Sequence, residues 1–482
     1  MFLGLDVGTT NVKALLVTPQ GRIVARGSAP VPLLHPDPSA VEQDIEEIWQ
    51  ATRAAIRQVS CANDASAVRA IGVSSQGGAM QVLDGDRKPL GRVISWLDGR
   101  GRPHDEQITA ELGAKWFAEH TGHGRSAISV GQILRLRQEA PELLRRPNRI
   151  GYVGDVIVSR LCGRGAHDAT SLSIAMLFNP ALRKADPKLL RLLDIGEDQL
   201  PDLLSARVMA GRLSDDVAAA VALPPGIPVS AAIHDQYAAS LGACVVHPGD
   251  VMFGAGTAWV LLATTARLAS PVIDSAFVCT HVLDGLYGQM LSLANGGSAF
   301  RWALNLLGLS GRSGGELDEL MASVPAGSEG VRFWPLLATS GAGLAPGTTG
   351  RLMGLRLSHG PAHILRAVVE GLALELARYL GFLKHGRIPA TRLVMCGGAA
   401  ASRVTPQVIA DVTGLPVACT TESEMSALGA AMLARGLVEP QTLLAQISQA
   451  MTPAVRLVEP GAHAQTYAGL LAEYLAALPY PL

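Results

Sequence analysis

The chain has 482 residues, 48% of them hydrophobic and 17% charged, with a formal net charge of −1. That composition can bury large cores and excludes a disordered tail protein; at roughly 100–200 residues per domain it calls for two or three domains. Lys and Arg are scattered rather than gathered on a basic face, which argues against nucleic acid as a partner.

Aromatic residues make up only 4%, whereas Gly (52) and Pro (29) are plentiful. This mix suits an α/β enzyme whose helices pack through Ala and Leu and whose loops use unusual backbone angles. Cys61, Cys162, Cys244, Cys279, Cys396 and Cys419 form no C-x-x-C pair. They read as reduced, mostly buried thiols of a cytoplasmic protein, not as a disulfide frame or zinc site. The opening MFLGLDVGTT has no basic leader, and apolar runs elsewhere are broken well short of ~20 residues, so neither a signal peptide nor a membrane span is expected.

In chain order, residues 2–7 read as a buried strand, Gly8 to Asn11 as a turn and Val12 to Val17 as a second strand. Pro19-Gln20-Gly21 then turns into Ile23-Val24-Ala25, completing an antiparallel meander. A helix is expected from Asp44, with Ile45, Ile48, Trp49, Thr52, Ile56 and Val59 on one face and Asp44 with Glu47 as its start signal. Val68 to Ser74 is strand-like and ends in Ser74-Ser75-Gln76-Gly77-Gly78; the stretch from about 100 to 210 is helix-rich. The strand pattern returns near 226–260, where Gly226 to Val229 leads to Ala232-Ile233-His234-Asp235-Gln236. His247 to Asp250 reads as a linker, and a second Gly-Thr turn follows at Gly256-Thr257. The recurrence of the Gly8-Thr9 turn half a chain later implies two related lobes with a cleft between them. The end of the chain reads as amphipathic helix, at 443–447 and 464–478.

Four segments carry chemistry. In Asp6-x-Gly8-Thr9-Thr10-x-x-Lys13, glycine lets backbone N–H groups converge on an anion, Thr9, Thr10 and Lys13 add donors, and Asp6 is placed to organise Mg²⁺. The same residues would also make an ordinary hairpin turn. Asp235, in His234-Asp235-Gln236, could accept the proton of an attacking hydroxyl, and Gln236 could bind a neighbouring one. As a bare tripeptide this is equally a surface pair, with His234 a wall residue rather than a catalyst. Gly256-Thr257 is the counterpart of the first turn, and Gly397-Gly398-Ala399 would let backbone approach a ribose or flat ring. Close helix–strand packing is the alternative for the last.

Together and in this order, these segments resemble the FGGY carbohydrate kinase family. The most specific match is Gly350-Arg351-Leu352-Met353-Gly354-Leu355, followed after seven residues by His363 to Glu370. Trp96-Leu97-Asp98-Gly99-Arg100, His167 to Ser171, Gln407-x-x-x-Asp411 and Ala427 to Ala431 agree in order and spacing. The resemblance implies an α/β, two-lobed, actin-like (ribonuclease-H-like) ATPase fold with a central interlobe cleft. It implies a sugar-binding lobe at 1–246, a nucleotide-binding lobe at 247–440 and C-terminal helices at 441–482 packing on the lobes.

By position, the resemblance makes Asp6 the metal and phosphate organiser and Asp235 the general base. Thr9, Thr10, Lys13, Gly256, Thr257 and Gly297 would contact phosphates, and Gly397, Gly398, Ala399 and Ser402 the nucleoside. Gln76, Gly77, Trp96, Asp235 and Gln236 would line the sugar pocket. ATP and Mg²⁺ are the implied cofactors, a small sugar or polyol the partner, and a homodimer a base-rate expectation. The look is xylulokinase-like, with a ketopentose such as xylulose as acceptor; glycerol, a tetritol or ribulose are alternatives. A binding-only sugar sensor and an actin-like chaperone or filament protein are the non-kinase alternatives; intact Asp6 and Asp235 oppose the first, and the Gly350-to-Glu370 signature the second. Xylulokinases usually carry Met-His where Gly77-Gly78 stand, and His234 replaces a customary glycine. Loss of the side chains at 77 and 78 is expected to leave room, for a longer substrate or another loop.

Overall fold

The computed structural model describes residues 1–293, 295–337 and 348–478. The apolar run Phe2–Val7 forms a strand buried on both faces except at Asp6, and Asn11–Val17 folds back on it, with Asp6 opposite Lys13. Ile23–Pro30 adds a third antiparallel strand, longer than the three residues expected, because it pairs along the whole of Asn11–Val17. On its other side Phe2–Val7 pairs parallel with Ile71–Ser75, which pairs parallel with Pro228–His234. The short strands Ala166–His167 and Asp202–Leu203 continue the sheet.

The chain divides into two compact units: one comprises Met1–Val246, Ala266–Gly288 and Glu424–Thr452, the other His247–Thr265, Gln289–Ser423 and Pro453–Leu482. In the first unit, helix Ile45–Ser60 buries Ile45, Ile48, Ala55, Ile56 and Val59 against the core. It begins where expected, Asp44 capping it by accepting from the Glu46 N–H at 2.8 Å. Helix Met425–Val438 packs on the strands through backbone rather than side chains. A Cβ on Gly4 would lie 1.9 Å from the Ala427 carbonyl oxygen, and one on Gly72 1.8 Å from that of Ala430. Only glycine on the strand, facing Ala on the helix, allows that approach.

The second unit repeats the plan. Asp250–Ala255 and Trp259–Thr265 form the hairpin, and Asp250–Ala255 then pairs parallel with Arg392–Cys396, which pairs parallel with Val417–Thr420. A hairpin strand followed by two parallel neighbours in both units is the ribonuclease-H-like order of an actin-like ATPase fold. The recurring Gly-Thr turn pointed to this duplication.

The two helices expected at the end of the chain are present as Leu444–Met451 and Ala464–Ala476, and between them Val455–Val458 is a strand, antiparallel to Val417–Thr420, that the pattern did not mark. Val455, Arg456 and Leu457 are exposed, so no apolar pattern marked the strand; the sheet edge it closes does. Among the described residues no helix is long and apolar enough to cross a membrane.

Candidate active site

The register places the first set of candidate residues. Asp6 is level with Ser74, and Ser74 with Ile233; one step on, Val7, Ser75 and His234 are level. Asp6 and Asp235 therefore emerge at the carboxyl ends of two parallel strands with Ile71–Ser75 between them, the edge where open α/β sheets bind ligands. The Ser74 hydroxyl donates to Asp6 Oδ1 at 3.2 Å. Burial pushes the Asp6 carboxyl up to about 7, helped by the charge of Asp235 and opposed by Lys13. Lys13 is itself engaged, its Nζ lying 2.6 Å from Glu424 Oε2.

Asp235 is one residue past its strand, the first residue of helix Asp235–Gly242, so the tripeptide read as a strand end is a strand-to-helix junction. Its side chain keeps 28% of its surface exposed. Burial of the site raises its pKa to about 6, with backbone and side-chain hydrogen bonds from Gln236 acting the other way. A relay holds the junction. The Thr170 hydroxyl donates to Asp168 Oδ1 at 2.6 Å and accepts the His234 N–H at 3.0 Å.

Gln76 and Trp96, both expected at the sugar pocket, come together through Thr9, expected on the phosphate side. The Thr9 hydroxyl donates to Gln76 Oε1 at 3.0 Å and accepts the Trp96 indole N–H, also at 3.0 Å. Gln43, which sequence reasoning missed, accepts from Gln76 Nε2 at 2.8 Å and donates to the Thr9 carbonyl at 2.9 Å. Thr9 thus joins the side expected to read sugar. Thr10 is exposed, its hydroxyl accepting from Asn11. Asp98 and Arg100 do not reach this cluster; their ion pair at 2.7 Å, extended to Glu42, braces the loop that presents Trp96.

The room expected over Gly77-Gly78 is filled. A Cβ at Gly77 would lie 2.4 Å from Cδ2 of His234, and one at Gly78 2.4 Å from Cγ2 of Ile128. No sequence spacing could pair residues so far apart.

In the second unit a cavity of about 760 Å³ is lined by Gly256, Thr257, Gly297, Gly398, Ala399 and Ser402, with Met321, Val369 and Leu372 as apolar wall. Its size is that of a cofactor cleft. A Cβ built on Gly314, Gly315 or Gly398 would meet nothing within 4 Å, so the glycine rim is open. Gly256 and Thr257 are exposed at the hairpin tip, and Gly297 supports that tip by donating its N–H to the Gly256 carbonyl at 3.0 Å. Ser402 donates to Asp318 Oδ1 at 2.6 Å, fixing the loop at the rim. Gly397 is not on the lining; it makes the positive-φ turn (+93°) that leads into it.

The signature from Gly350 to Glu370 has a structural part and a lining part. Arg351–Met353 pairs with Arg332–Trp334, and helix Pro361–His385 brings Val369 and Leu372 to the cavity wall. Glu370 is buried; it pairs with Arg366 at 3.0 Å and accepts from Gly327 N–H, the Ser328 hydroxyl and the Tyr467 hydroxyl.

Among the described residues no three His, Cys, Asp or Glu side chains gather as a metal cage. Two neighbouring carboxylates whose repulsion raises one pKa do suit Mg²⁺, which keeps several waters and takes one or two carboxylates together with substrate phosphates.

Comparison with known proteins gives the family and the fold. The N-terminal domain model of the FGGY family of carbohydrate kinases matches residues 1–242, and the C-terminal domain model residues 251–435. The chain is 27% identical over 462 residues to the xylulose kinase of Escherichia coli (strain K12), covering 93% of this chain and 92% of that one. It is 30% identical over 441 residues to the L-fuculokinase of Salmonella typhi, covering 90% and 91%. The crystal structure of xylulose kinase from Rhodospirillum rubrum superposes with a TM-score of 0.89 at 26% identity, over 98% of this chain and 97% of that one. Two matched domains and the duplicated fold lead to one conclusion: the chain belongs to the FGGY family of carbohydrate kinases.

Proposed function

We propose that this carbohydrate kinase transfers the γ-phosphoryl group of ATP to a hydroxyl of a small ketose, a ketopentose such as xylulose, with Asp235 as general base. The observation that carries the reading is the position of Asp235: first residue of a helix, beside the strand that separates it from Asp6, with its carboxylate still open. In the proposed reaction the acceptor oxygen bonds to the γ-phosphorus, the bond to the β-phosphate oxygen breaks, and the hydroxyl proton passes to Asp235 as ADP leaves. A carboxyl whose pKa is about 6 is ionised at neutral pH and basic enough to take that proton.

Gln76, Trp96 and Gln236 orient the acceptor, Gly77 borders it through the His234 ring packed on that glycine, and Thr9 ties Gln76 to Trp96. The nucleoside lies in the second-unit cavity against Gly398, Ala399 and Ser402, and its phosphates run past Gly256, Thr257 and Gly297. Thr10 and Lys13 serve the phosphate side in the first unit. Asp6 would hold Mg²⁺ through its waters, and the ion would offset charge on the phosphates. On this reading residues 1–246 carry the sugar pocket and 247–440 the nucleoside, although 266–288 and 424–440 belong to the first compact unit.

Likeness to xylulose kinases supports the ketopentose; the similar identity to an L-fuculokinase supports a second reading, another ketose or polyol as acceptor. The deciding experiment is a coupled ADP-release assay over ketopentoses, ketohexoses, glycerol, tetritols and pentitols. Turnover with xylulose well above the others supports the first reading, and a different preferred acceptor replaces it. ADP release from no acceptor sinks both.

A further inference from the structure

Gly77 and Gly78 carry no side chains, yet side chains from three other segments sit on them. A Cβ at Gly77 would lie 2.4 Å from Cδ2 and 2.7 Å from Nε2 of His234, and 2.5 Å from Cγ2 of Ile174. Gly78 has φ +74° and lies under Ile128. Ile128 is itself held at φ 58° and ψ −102°, a conformation β-branched residues rarely adopt unless their surroundings impose it. The imidazole of His234 is held by packing: its Nδ1 is buried without a hydrogen-bond partner, and its Nε2 lies 3.2 Å from Asp235 Oδ1.

We infer that His234 and Ile128, seated on Gly77 and Gly78, form the specificity-determining wall of the acceptor site beside Asp235. This rests on the reading of Asp235 as the base. The two glycines are the seat, and the volume that reads the acceptor comes from elsewhere in the chain. The wall is an imidazole face and an alkyl group, neither charged, next to two acidic residues, Asp6 and Asp235. It suits a neutral polyhydroxylated carbon chain of limited length and disfavours an anionic acceptor such as an aldonic acid, which would meet carboxylates and find no cation on the wall.

The test is a double-mutant cycle of Gly77→Ala and His234→Ala, read by melting temperature and by kcat/KM over neutral acceptors differing by one hydroxymethyl group, with an aldonate included. His234→Ala is expected to raise kcat/KM for a longer neutral acceptor relative to a shorter one by about tenfold or more, the scale of one pocket-filling group. Gly77→Ala is expected to lower both melting temperature and activity in the native background, and to cost clearly less once His234 is Ala, when only the contact with Ile174 remains. If Gly77→Ala alone does not fold, recovery of folded protein in the double variant reports the same coupling. His234→Asn, smaller but still polar, should move the acceptor ratio in the same direction.

An unchanged acceptor ratio, or a Gly77→Ala effect of equal size in both backgrounds, overturns the wall; so does preferred turnover of the aldonate by the native protein. If the native protein phosphorylates no acceptor, the kinase reading falls instead, and the melting-temperature cycle still decides whether His234 is seated on Gly77.

Discussion

The indole N–H of Trp96 donates to the hydroxyl of Thr9 over 3.0 Å, joining residues 87 positions apart. Because Thr9 in turn donates to Gln76, a ring presented on one loop is registered against the turn that follows the first strand. Trp96→Phe keeps an aromatic face, smaller than the indole, and removes the donor. It should raise the KM for the acceptor by roughly 3–10-fold, the worth of one ordinary hydrogen bond, and leave kcat within about twofold. Steady-state kinetics at saturating ATP checks this, and an unchanged acceptor KM would remove Trp96 from the site.

Asp235→Asn keeps the shape of the proposed base and removes its basicity. Turnover should fall by about 10²–10⁴-fold. Nucleotide affinity measured by calorimetry should stay within about threefold, since the cavity proposed for the nucleotide is lined by other residues. Native-like turnover would reassign the base.

The acid limb of the native pH–rate profile follows from the same carboxyl. A base must be ionised, so kcat/KM should rise with pH through about 6 and level off above it. Asp6 lies within Coulombic reach, so the measured midpoint belongs to the pair rather than to Asp235 alone. A profile flat from pH 5 to 8, on this argument about a titrating base, would exclude Asp235 from proton transfer.

Stability should fall as pH rises above neutrality. Burial holds Asp6 and Asp168 up at about 7 and Asp155 at about 8, the last opposed by the Tyr152 N–H and the charge of Arg87. Carboxyls raised in the folded state keep protons that the unfolded chain has already released, so stability drops as pH climbs through those values. Below the usual histidine value of 6.5 the balance changes, because buried His123, His167, His234 and His281 resist protonation and the unfolded chain takes up the protons. Melting temperature should therefore decline between roughly pH 6.5 and 8.5, and Asp155→Asn should flatten that decline. An Asp155→Asn curve parallel to the native one would refute the assignment.

The end of the family signature is predicted to matter for folding more than for chemistry. Removing Glu370 leaves the Arg366 guanidinium buried without its partner and strips acceptors from Gly327, Ser328 and Tyr467. Glu370→Ala should cost about 3–5 kcal/mol, and Tyr467→Phe, which loses hydrogen bonds to Arg366 and Glu370, about 1 kcal/mol or somewhat more. Denaturant titration measures both; a Glu370→Ala protein as stable as the native one would show that the pair is dispensable.

The sequence by itself determined the opening strands, the first helix and the repeated plan. Phe2–Val7 is apolar along both faces, Asp44 marks a helix start by its side-chain acceptor, and two Gly-Thr turns announce two hairpins; these are local signals with a short period. Order and spacing of the motifs then sufficed for the family. Only the tertiary structure decided what depends on distant residues: the exposed strand Val455–Val458, which exists because Val417–Thr420 needs a partner; Gln43 and Thr170, which brace candidate residues far from them in sequence; and the filling of Gly77 by His234. A glycine advertises the absence of a side chain, and whether that absence is space or a seat for another residue is settled by packing.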